Sequence, residues 1–438
     1  MPTTRGGTSL PDPPRSLIAC KRVKRMIDSK LILSDKDHVK RELGRKCFDV
    51  SVIDDVEALL LSIRSLITES NSLNKTRNLC SRDPSVPAED KRGLRERAAR
   101  VNAEINRLKS KADELLYSVP NLPDPDAPEG ADASSNVVVF QSQEHYERGV
   151  SEPATHWEVA GKLGILDAEL AGRLSGSGFA LFRGKGAKLL RALVNYCFSL
   201  HEDKYREILP PHLVTGKTLT YTGHLPRFAA EQYKLSDEDL WLIPTAEVPL
   251  TAAFADTVFS QGELPAYRMG YTLSFRRETS SGGKETRGLQ RIHEFHKVEL
   301  MKIAEPRMAE TELRDLLADC ERIIRDLKLR YRIVDLCAGD MGDKYARCFD
   351  IEVYAPGVKK WLEASSVGHF SDYQARRAGI KYTDEKGRKK YACTLNGSGV
   401  ATPRVLAAII ETYQQPDGTV RVPDALVPFM GCDVIGRE

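Results

Sequence analysis

Phe275-Arg276-Arg277-Glu278, then a polar Gly-rich stretch from Ser280 to Gly288, then Arg291-Ile292-His293-Glu294-Phe295-His296-Lys297-Val298-Glu299: this passage decides how the chain is read. It reads as a strand, a loop and a returning strand. An arginine on such a strand can grip a phosphate with two parallel hydrogen bonds. Glycines in the loop let backbone approach a ligand closely. Taken alone, the Arg-x-Glu element suits a surface ion pair equally well.

Two flanking segments change that balance. Downstream, Thr394-Leu395-Asn396-Gly397-Ser398-Gly399-Val400-Ala401-Thr402-Pro403-Arg404 leads through small residues into an amphipathic helix that continues to Glu411. Pro403 suits a first helical turn. Arg404 does not, because a cation at a helix N-terminus opposes the helix dipole. The mismatch points to an anionic ligand. Upstream, Pro244-Thr245-Ala246-Glu247-Val248-Pro249 sets a hydroxyl and a carboxylate beside the end of a strand-like segment, Leu240–Ile243.

Further toward the N-terminus the spacing changes character. Val52, Val56, Leu59, Ile63, Leu66, Ser70 and Leu73 step by four and three, and after Pro84 and Pro87 the rhythm returns at Leu94, Ala98, Val101, Ile105, Leu108, Ala112 and Leu115. Two heptad seams joined by a proline-containing loop read as an antiparallel coiled-coil hairpin over about 52–117. Arms of about 25 residues would reach roughly 40 Å. The proline-dense run Val119–Pro128 then stops the helix and reads as an extended linker. Beyond it, strand-like Lys297–Ile303 and helix-like Met308–Leu327 suggest an α+β domain on a largely antiparallel sheet. The expected division is an extension at 1–25, a helical arm at 26–120, a linker at 121–135 and a catalytic domain at 136–438.

Composition sets outer bounds. The 438 residues exceed one ordinary core, and 41% hydrophobic with 29% charged residues is a globular mix. No apolar run is long enough to span a membrane. A net charge of +3 means that any polyanionic partner must be argued from local charge. The nine cysteines form no C-x-x-C pair, which favours unpaired thiols in a reducing compartment. The first 25 residues carry six basic and one acidic residue. That bias reads either as a disordered extension upstream of an alternative start at Met26 or as an organellar transit peptide.

Together these segments resemble the signature motifs of class II aminoacyl-tRNA synthetases, and specifically of seryl-tRNA synthetases. Arg276–Glu299 resembles the family's motif 2, and Asn396–Glu411 its motif 3. Gly176-Ser177-Gly178-Phe179 through Pro210-Pro211 resembles the motif 1 region, which supplies the dimer interface. Thr245-Ala246-Glu247 matches the serine-site tripeptide. Asp350-Ile351-Glu352, Glu363-Ala364-Ser365-Ser366 and Asp372–Arg377 match a further block. The likeness runs in order from about Met26 to Met430.

The resemblance implies an antiparallel-sheet class II catalytic domain behind a coiled-coil arm. It implies that L-serine is activated with ATP and Mg²⁺ and passed to tRNA(Ser) by a cytoplasmic homodimer with no DNA or membrane partner. By match, Arg276, Arg404 and Glu363 are catalytic. ATP would meet Arg276, Arg277, Glu278, Phe295, Glu363, Ala364, Ser365, Ser366 and Arg404, with Phe295 stacked on adenine and Glu278 at its edge. Serine would meet Thr245, Ala246, Glu247, Arg276, Glu299, Asn396 and Ser398. Glu363 and Ser366 would hold the metal, as oxygen donors suit a hard cation. A pocket that reads the serine hydroxyl by hydrogen bonds rejects alanine strongly. Of the histidines, His156, His201, His212, His224 and His293 read as packing or surface hydrogen bonding.

The arm is locally basic. Lys75 to Lys111 holds eleven basic and five acidic residues, a local charge of +6. A basic rod suits recognition of RNA by shape and backbone, and Lys75, Arg77, Arg92, Arg95, Arg100 and Arg107 are the expected tRNA contacts. Two departures stand out. The family's Ser-Ser-Cys-Ser-Asn reads Ser365-Ser366-Val367-Gly368-His369 here, and its Ala-Val-Gly-Arg reads Ala401-Thr402-Pro403-Arg404. Two other readings stay open: a paralogue supplying seryl-tRNA or seryl-adenylate to a separate pathway, and an RNA-binding homologue without catalysis. Loss of Arg276, Glu299 or Arg404 would signal the latter, and all three are present.

Overall fold

The computed structural model describes residues 27–143, 149–279 and 287–437. The N-terminal extension and Ser280–Thr286 of the Gly-rich stretch lie outside the described residues.

Four helices open the chain: α1 (Ser29–Ser34), α2 (Lys36–Arg45), α3 (Ser51–Arg82) and α4 (Ala88–Ser118). The long pair runs to 32 and 31 residues, longer than the seam alone predicts. At 1.5 Å per residue each is about 48 Å long. They part at Pro84 and Pro87, where a helix cannot continue. Midway, Ile63, Ser70 and Leu73 bury against Val101, Ile105, Leu108 and Ala112, as the heptads require. Ser70 Oγ donates to Asn102 Oδ1 at 2.9 Å inside the seam, a polar pair of the kind that fixes register. At the base the buried set shifts by one residue: Ile53, Leu60 and Leu116 are buried where Val52, Leu59 and Leu115 were expected. A 3.6-residue turn drifts against a seven-residue repeat. Here α1 and α2 supply a second packing partner through Ile32, Val39 and Leu43.

The rest of the chain is built on an eight-stranded sheet. Its order is Val137–Gln141, Tyr331–Asp335, Arg347–Ala355, Lys360–His369, Cys393–Ala401, Glu294–Ala304, Ala266–Phe275 and Arg206–Glu207. All neighbours are antiparallel except the last pair. The strand-like Leu240–Ile243 is a strand at Leu240–Leu242 outside this sheet, and the helix-like Met308–Leu327 is a helix at Ala309–Asp326.

Alternation along Glu294–Ala304 sorts two environments. Val298, Leu300 and Ala304 enter the main core with the helices Gly184–His201, Ala309–Asp326 and Thr402–Thr412. Phe295, Lys297 and Glu299 face a cleft on the other side. Residues 297–304 are all buried, so this strand is covered on both faces. No helix among the described residues is long and apolar enough to cross a membrane. The eight described cysteines are free thiols.

Candidate active site

The cleft is a cavity of about 280 Å³ on the open face of the sheet. Of the sequence-predicted residues it gathers Thr245, Glu247, Arg276, Glu278, Phe295, Glu299, Glu363, Ala364, Ser366, Asn396, Ser398 and Arg404. Strict alternation would send Glu363 and Ser366 to opposite faces. A β-bulge between Glu363 and Ser365 restores them to one face. Asn396 and Ser398 need no such device, being two residues apart on one strand.

Three predicted residues stand outside the cavity lining. Ala246 is buried in a core cluster beside the helix Glu247–Ala252, where an alanine fills space. Arg277 is exposed, and its backbone N–H donates to Glu231 O at 3.1 Å. Ser365 is buried by the bulge and donates from Oγ to Ser398 O at 2.7 Å, tying two strands together.

One end of the cleft is acidic and buried. Glu247 and Glu299 are 2% and 0% exposed. Asn396 Nδ2 bridges them, donating to Glu299 Oε1 at 2.9 Å and to Glu247 Oε2 at 3.1 Å. Thr245 Oγ1 donates to Glu299 Oε2 at 2.5 Å. Each acid also carries an ammonium: Lys297 Nζ sits 2.6 Å from Glu299 Oε2, and Lys344 Nζ sits 2.5 Å from Glu247 Oε2. Gln374 Nε2 donates to Glu247 Oε1 at 2.7 Å. Burial pulls the Glu247 carboxyl up, but Lys344 and its neighbours outweigh burial and hold it below the ordinary carboxylate range. Asn396 Oδ1 is sealed from solvent and has no hydrogen-bond partner among the described residues, an unsatisfied acceptor in the wall of the pocket.

The other end is cationic. Arg276 follows directly on the strand Ala266–Phe275, its guanidinium 5.2 Å from the Phe295 ring centre. Arg404 lies in the first turn of Thr402–Thr412. Its Nη1 donates to Glu363 O at 2.8 Å and to Glu363 Oε2 at 3.1 Å, and its Nε donates to Gln290 O at 3.2 Å. These acceptors offset the unfavourable dipole noted from the sequence. Glu363 is 46% exposed into the cleft. Burial works against its ionisation, but Arg404 and then Arg276 hold it below the ordinary range, so both guanidinium groups act on one carboxylate. Glu278, at φ +49°, is paired with Arg291.

Several participants escaped the sequence reading. Lys297 lies within the Arg276–Glu299 motif, and two-residue alternation with Phe295 and Glu299 sets it in the cleft. Lys344 sits on a loop that no local pattern announces, and Gln374 lies within the Asp372–Arg377 block, where nothing local tells that its amide reaches Glu247. His156 is buried: its Nδ1 lies 2.7 Å from Glu411 Oε1, and its Nε2 accepts from Leu289 N–H at 2.9 Å. His224 lines the cavity wall, and burial, with Lys344 adding, pushes it down to about 3.

Along the arm, Lys75, Arg92, Arg95, Arg100 and Arg107 are exposed and Arg77 is half-buried. Arg107 pairs with Glu104 at 2.6 Å and Arg92 with Glu96 at 3.9 Å. Lys75, Arg77, Arg95 and Arg100 make no ion pair among the described residues.

A largely antiparallel sheet with helices on one face, and with two arginines and two buried acids in a cleft on the other, defines a class II aminoacyl-tRNA synthetase. Residues 229–413 match the tRNA synthetase class II core domain (G, H, P, S and T), and residues 26–123 match the seryl-tRNA synthetase N-terminal domain. The chain is 42% identical over 427 residues to a serine--tRNA ligase of Thermomicrobium roseum, covering 94% of this chain and 95% of the relative. It is 41% identical over 420 residues to that of Geobacillus kaustophilus, covering 93% and 99%. Among solved structures, seryl-tRNA synthetase from Pyrococcus horikoshii complexed with ATP superposes with a TM-score of 0.88 at 30% identity, covering 94% of this chain and 100% of that one. The chain belongs to the seryl-tRNA synthetase family. It is an ATP-using ligase that joins serine to tRNA.

Proposed function

We propose that the acidic end of the cleft binds serine, that the cationic end binds ATP, and that the arm binds tRNA(Ser). One observation carries this reading: Asn396 bridges two buried carboxylates in the same cavity that Arg276 and Arg404 line. Glu247, Glu299 and Thr245 meet the serine ammonium and hydroxyl, with Asn396 and Ser398 completing the pocket. Arg276 holds the serine carboxylate against the α-phosphate. That carboxylate attacks phosphorus in line, and pyrophosphate leaves carrying the charge that Arg404 neutralises. Phe295 stacks on adenine and Glu278 reads its edge. The terminal ribose hydroxyl of tRNA then attacks the seryl carbonyl and AMP departs. Positioning supplies much of the rate, and no protein base is required.

The residues present fit a divalent cation. Asp350 is the cross-strand partner of Ser366, and its Oδ1 is sealed from solvent with no hydrogen-bond partner. Burial, then repulsion from Glu363, pushes its carboxyl well above the ordinary range. Two carboxylates that repel one another, with the Ser366 hydroxyl opposite one of them, suit Mg²⁺, with Glu363 and Ser366 as its holders. When bound, Mg²⁺ supplies positive charge at the phosphoryl oxygens.

The remaining assignments belong to the same reading. The arm comprises 26–120 and the catalytic unit 136–438, joined through 121–135. The enzyme works as a homodimer through the motif 1 region, where Leu209 is 73% exposed. Its compartment is the cytoplasm, which suits the free thiols. Serine-dependent ATP–pyrophosphate exchange, followed by charging of tRNA(Ser), tests the whole. Exchange without charging would favour a supplier of seryl-adenylate, and failure of both would end the reading.

A further inference from the structure

Lys46 belongs to the N-terminal helices, yet the hydrogen bonds of its side chain all go to the catalytic unit. It caps the C-terminus of α2 and is 8% exposed. Its Nζ donates to the carbonyl oxygens of Gly342, Asp343 and Tyr345 at 3.4, 3.2 and 2.6 Å. In its protonated form Lys46 has three protons to give, matching these three carbonyls, while burial pulls its ionisation down to about 7 and Asp343 opposes that pull. Asn121, just after α4, completes the grip. Its backbone N–H donates to Asp343 O at 2.8 Å, and its Nδ2 donates to Lys344 O at 3.1 Å and to Phe370 O at 2.9 Å. Every carbonyl from Gly342 to Tyr345 therefore accepts from the N-terminal segment.

The same short loop reaches the other way into the cleft. Lys344 Nζ sits on Glu247 Oε2. Tyr345 wedges against Gly368, where an added Cβ would come within 2.5 Å of its ring. Asp343 pairs with Arg227. The loop is thus seated by backbone from one side, while one side chain crosses to the serine pocket. Among the described residues no other ammonium pairs with Glu247, and Gln374 and Asn396 offer it neutral amides. A buried carboxylate without a cation tends to take a proton, and a neutral carboxyl no longer attracts a substrate ammonium.

We propose that Lys46 is a positioning residue for the amino-acid pocket: by gripping the Gly342–Tyr345 backbone it sets Lys344 on Glu247, so docking of the N-terminal helices tunes the affinity for serine. This rests on the reading of Glu247 as a serine contact. Lys46→Met, Lys344→Met and their combination are compared in pyrophosphate exchange, with Glu247→Gln as the control. Each single change raises KM for serine about tenfold with KM for ATP unmoved, and the double variant is no worse than either alone. Asn121→Ala is a second variant, milder in its effect on folding, and it moves KM for serine in the same direction. An unchanged KM for serine, equal rises for both substrates, or additive effects in the double variant would overturn the proposal. If Glu247→Gln leaves KM for serine untouched, the pocket reading itself fails and takes this inference with it.

Discussion

His156 Nδ1 lies 2.7 Å from Glu411 Oε1, and both side chains are wholly buried. Glu411 lies in the last turn of the helix whose first turn holds Arg404, and its other oxygen accepts from Gly357 N–H at 2.8 Å. The pair fixes the ring so that Nε2 accepts from Leu289 N–H, and the next residue, Gln290, receives the Arg404 Nε–H. One buried histidine thus fastens the end of the Gly-rich stretch beside the arginine that closes the cleft. Asparagine at 156 can still donate to Glu411 but cannot reach Leu289. Glutamine places an acceptor near the Nε2 position. Leaving a buried N–H without a partner costs about 1–3 kcal/mol. His156→Asn should therefore raise KM for ATP about tenfold, and His156→Gln should recover much of it, with KM for serine unchanged in both. Steady-state exchange kinetics check this, and equal behaviour of the two variants would contradict it.

Arg276→Ala tests the cleft more directly. The guanidinium rests on Phe295, and its Nε donates to Pro244 O at a long 3.4 Å. Little of the fold depends on it. Removing one preorganised charge from a phosphoryl-transfer site typically costs about 100- to 1000-fold in rate. Exchange should fall by that order, while circular dichroism and thermal unfolding stay close to those of the parent. Near-normal exchange would show that another cation meets the α-phosphate.

Much of this was open to reading in the chain itself, for identifiable reasons. The heptads from Val56 to Ala112 announced the hairpin because burial repeats locally. Thr245, Glu247, Glu299, Asn396 and Arg404 lay within short ordered motifs. Lys344 and His156 did not, and Glu411, though it ends the Asn396–Glu411 motif, acts like them through contacts between segments far apart in the chain. His156 meets Glu411 across 255 residues, and Lys344 meets Glu247 across 97. Ser365 stands outside the cavity lining for a different reason. A bulge changes strand register by one residue, and no periodicity in Glu363-Ala364-Ser365-Ser366 reveals it.

Two buried histidines give the fold an acid sensitivity with a definite sign. Burial pushes His201 down from 6.5 to about 4, with Asp319 opposing and Arg322 and Lys204 assisting. His224 goes down to about 3 by burial and then by Lys344, with Glu247 opposing. In the unfolded chain both take a proton below about 6.5. The folded chain takes fewer protons in this window, so stability is full above pH 6.5 and falls as the pH drops toward 4. For His201, 2% exposed, the loss reaches about 3 kcal/mol at most. His201→Leu should flatten the fall in melting temperature between pH 6.5 and 4 relative to the parent. Parallel curves for the two proteins would refute the assignment.

The arm offers the cleanest separation of the two half-reactions, provided the cut respects the seam. Leu73 packs in one cluster with Val101 and Ile105, and Glu69 pairs with Arg97 at 2.7 Å. Removing Asn74–Lys111 would strip Ile63 of Leu108 and leave α3 with an exposed apolar stripe. Removing Asn74–Glu96 and joining Leu73 to Arg97 through two glycines keeps the lower seam and the Glu69–Arg97 pair. It still deletes Lys75, Arg77, Arg92 and Arg95 from the basic rod. The base cluster of Ile53, Val56, Leu60 and Leu116 remains whole, and so does the Lys46 contact with the catalytic unit. Serine-dependent pyrophosphate exchange should therefore stay within about twofold of the parent, as substitutions far from a site usually act independently of it. Charging of tRNA(Ser) should fall at least about 100-fold, since each lost phosphate contact weakens binding and steepens its dependence on salt. Aminoacylation at two salt concentrations reads both effects, and undiminished charging by the shortened enzyme would show that the rod does not hold the RNA.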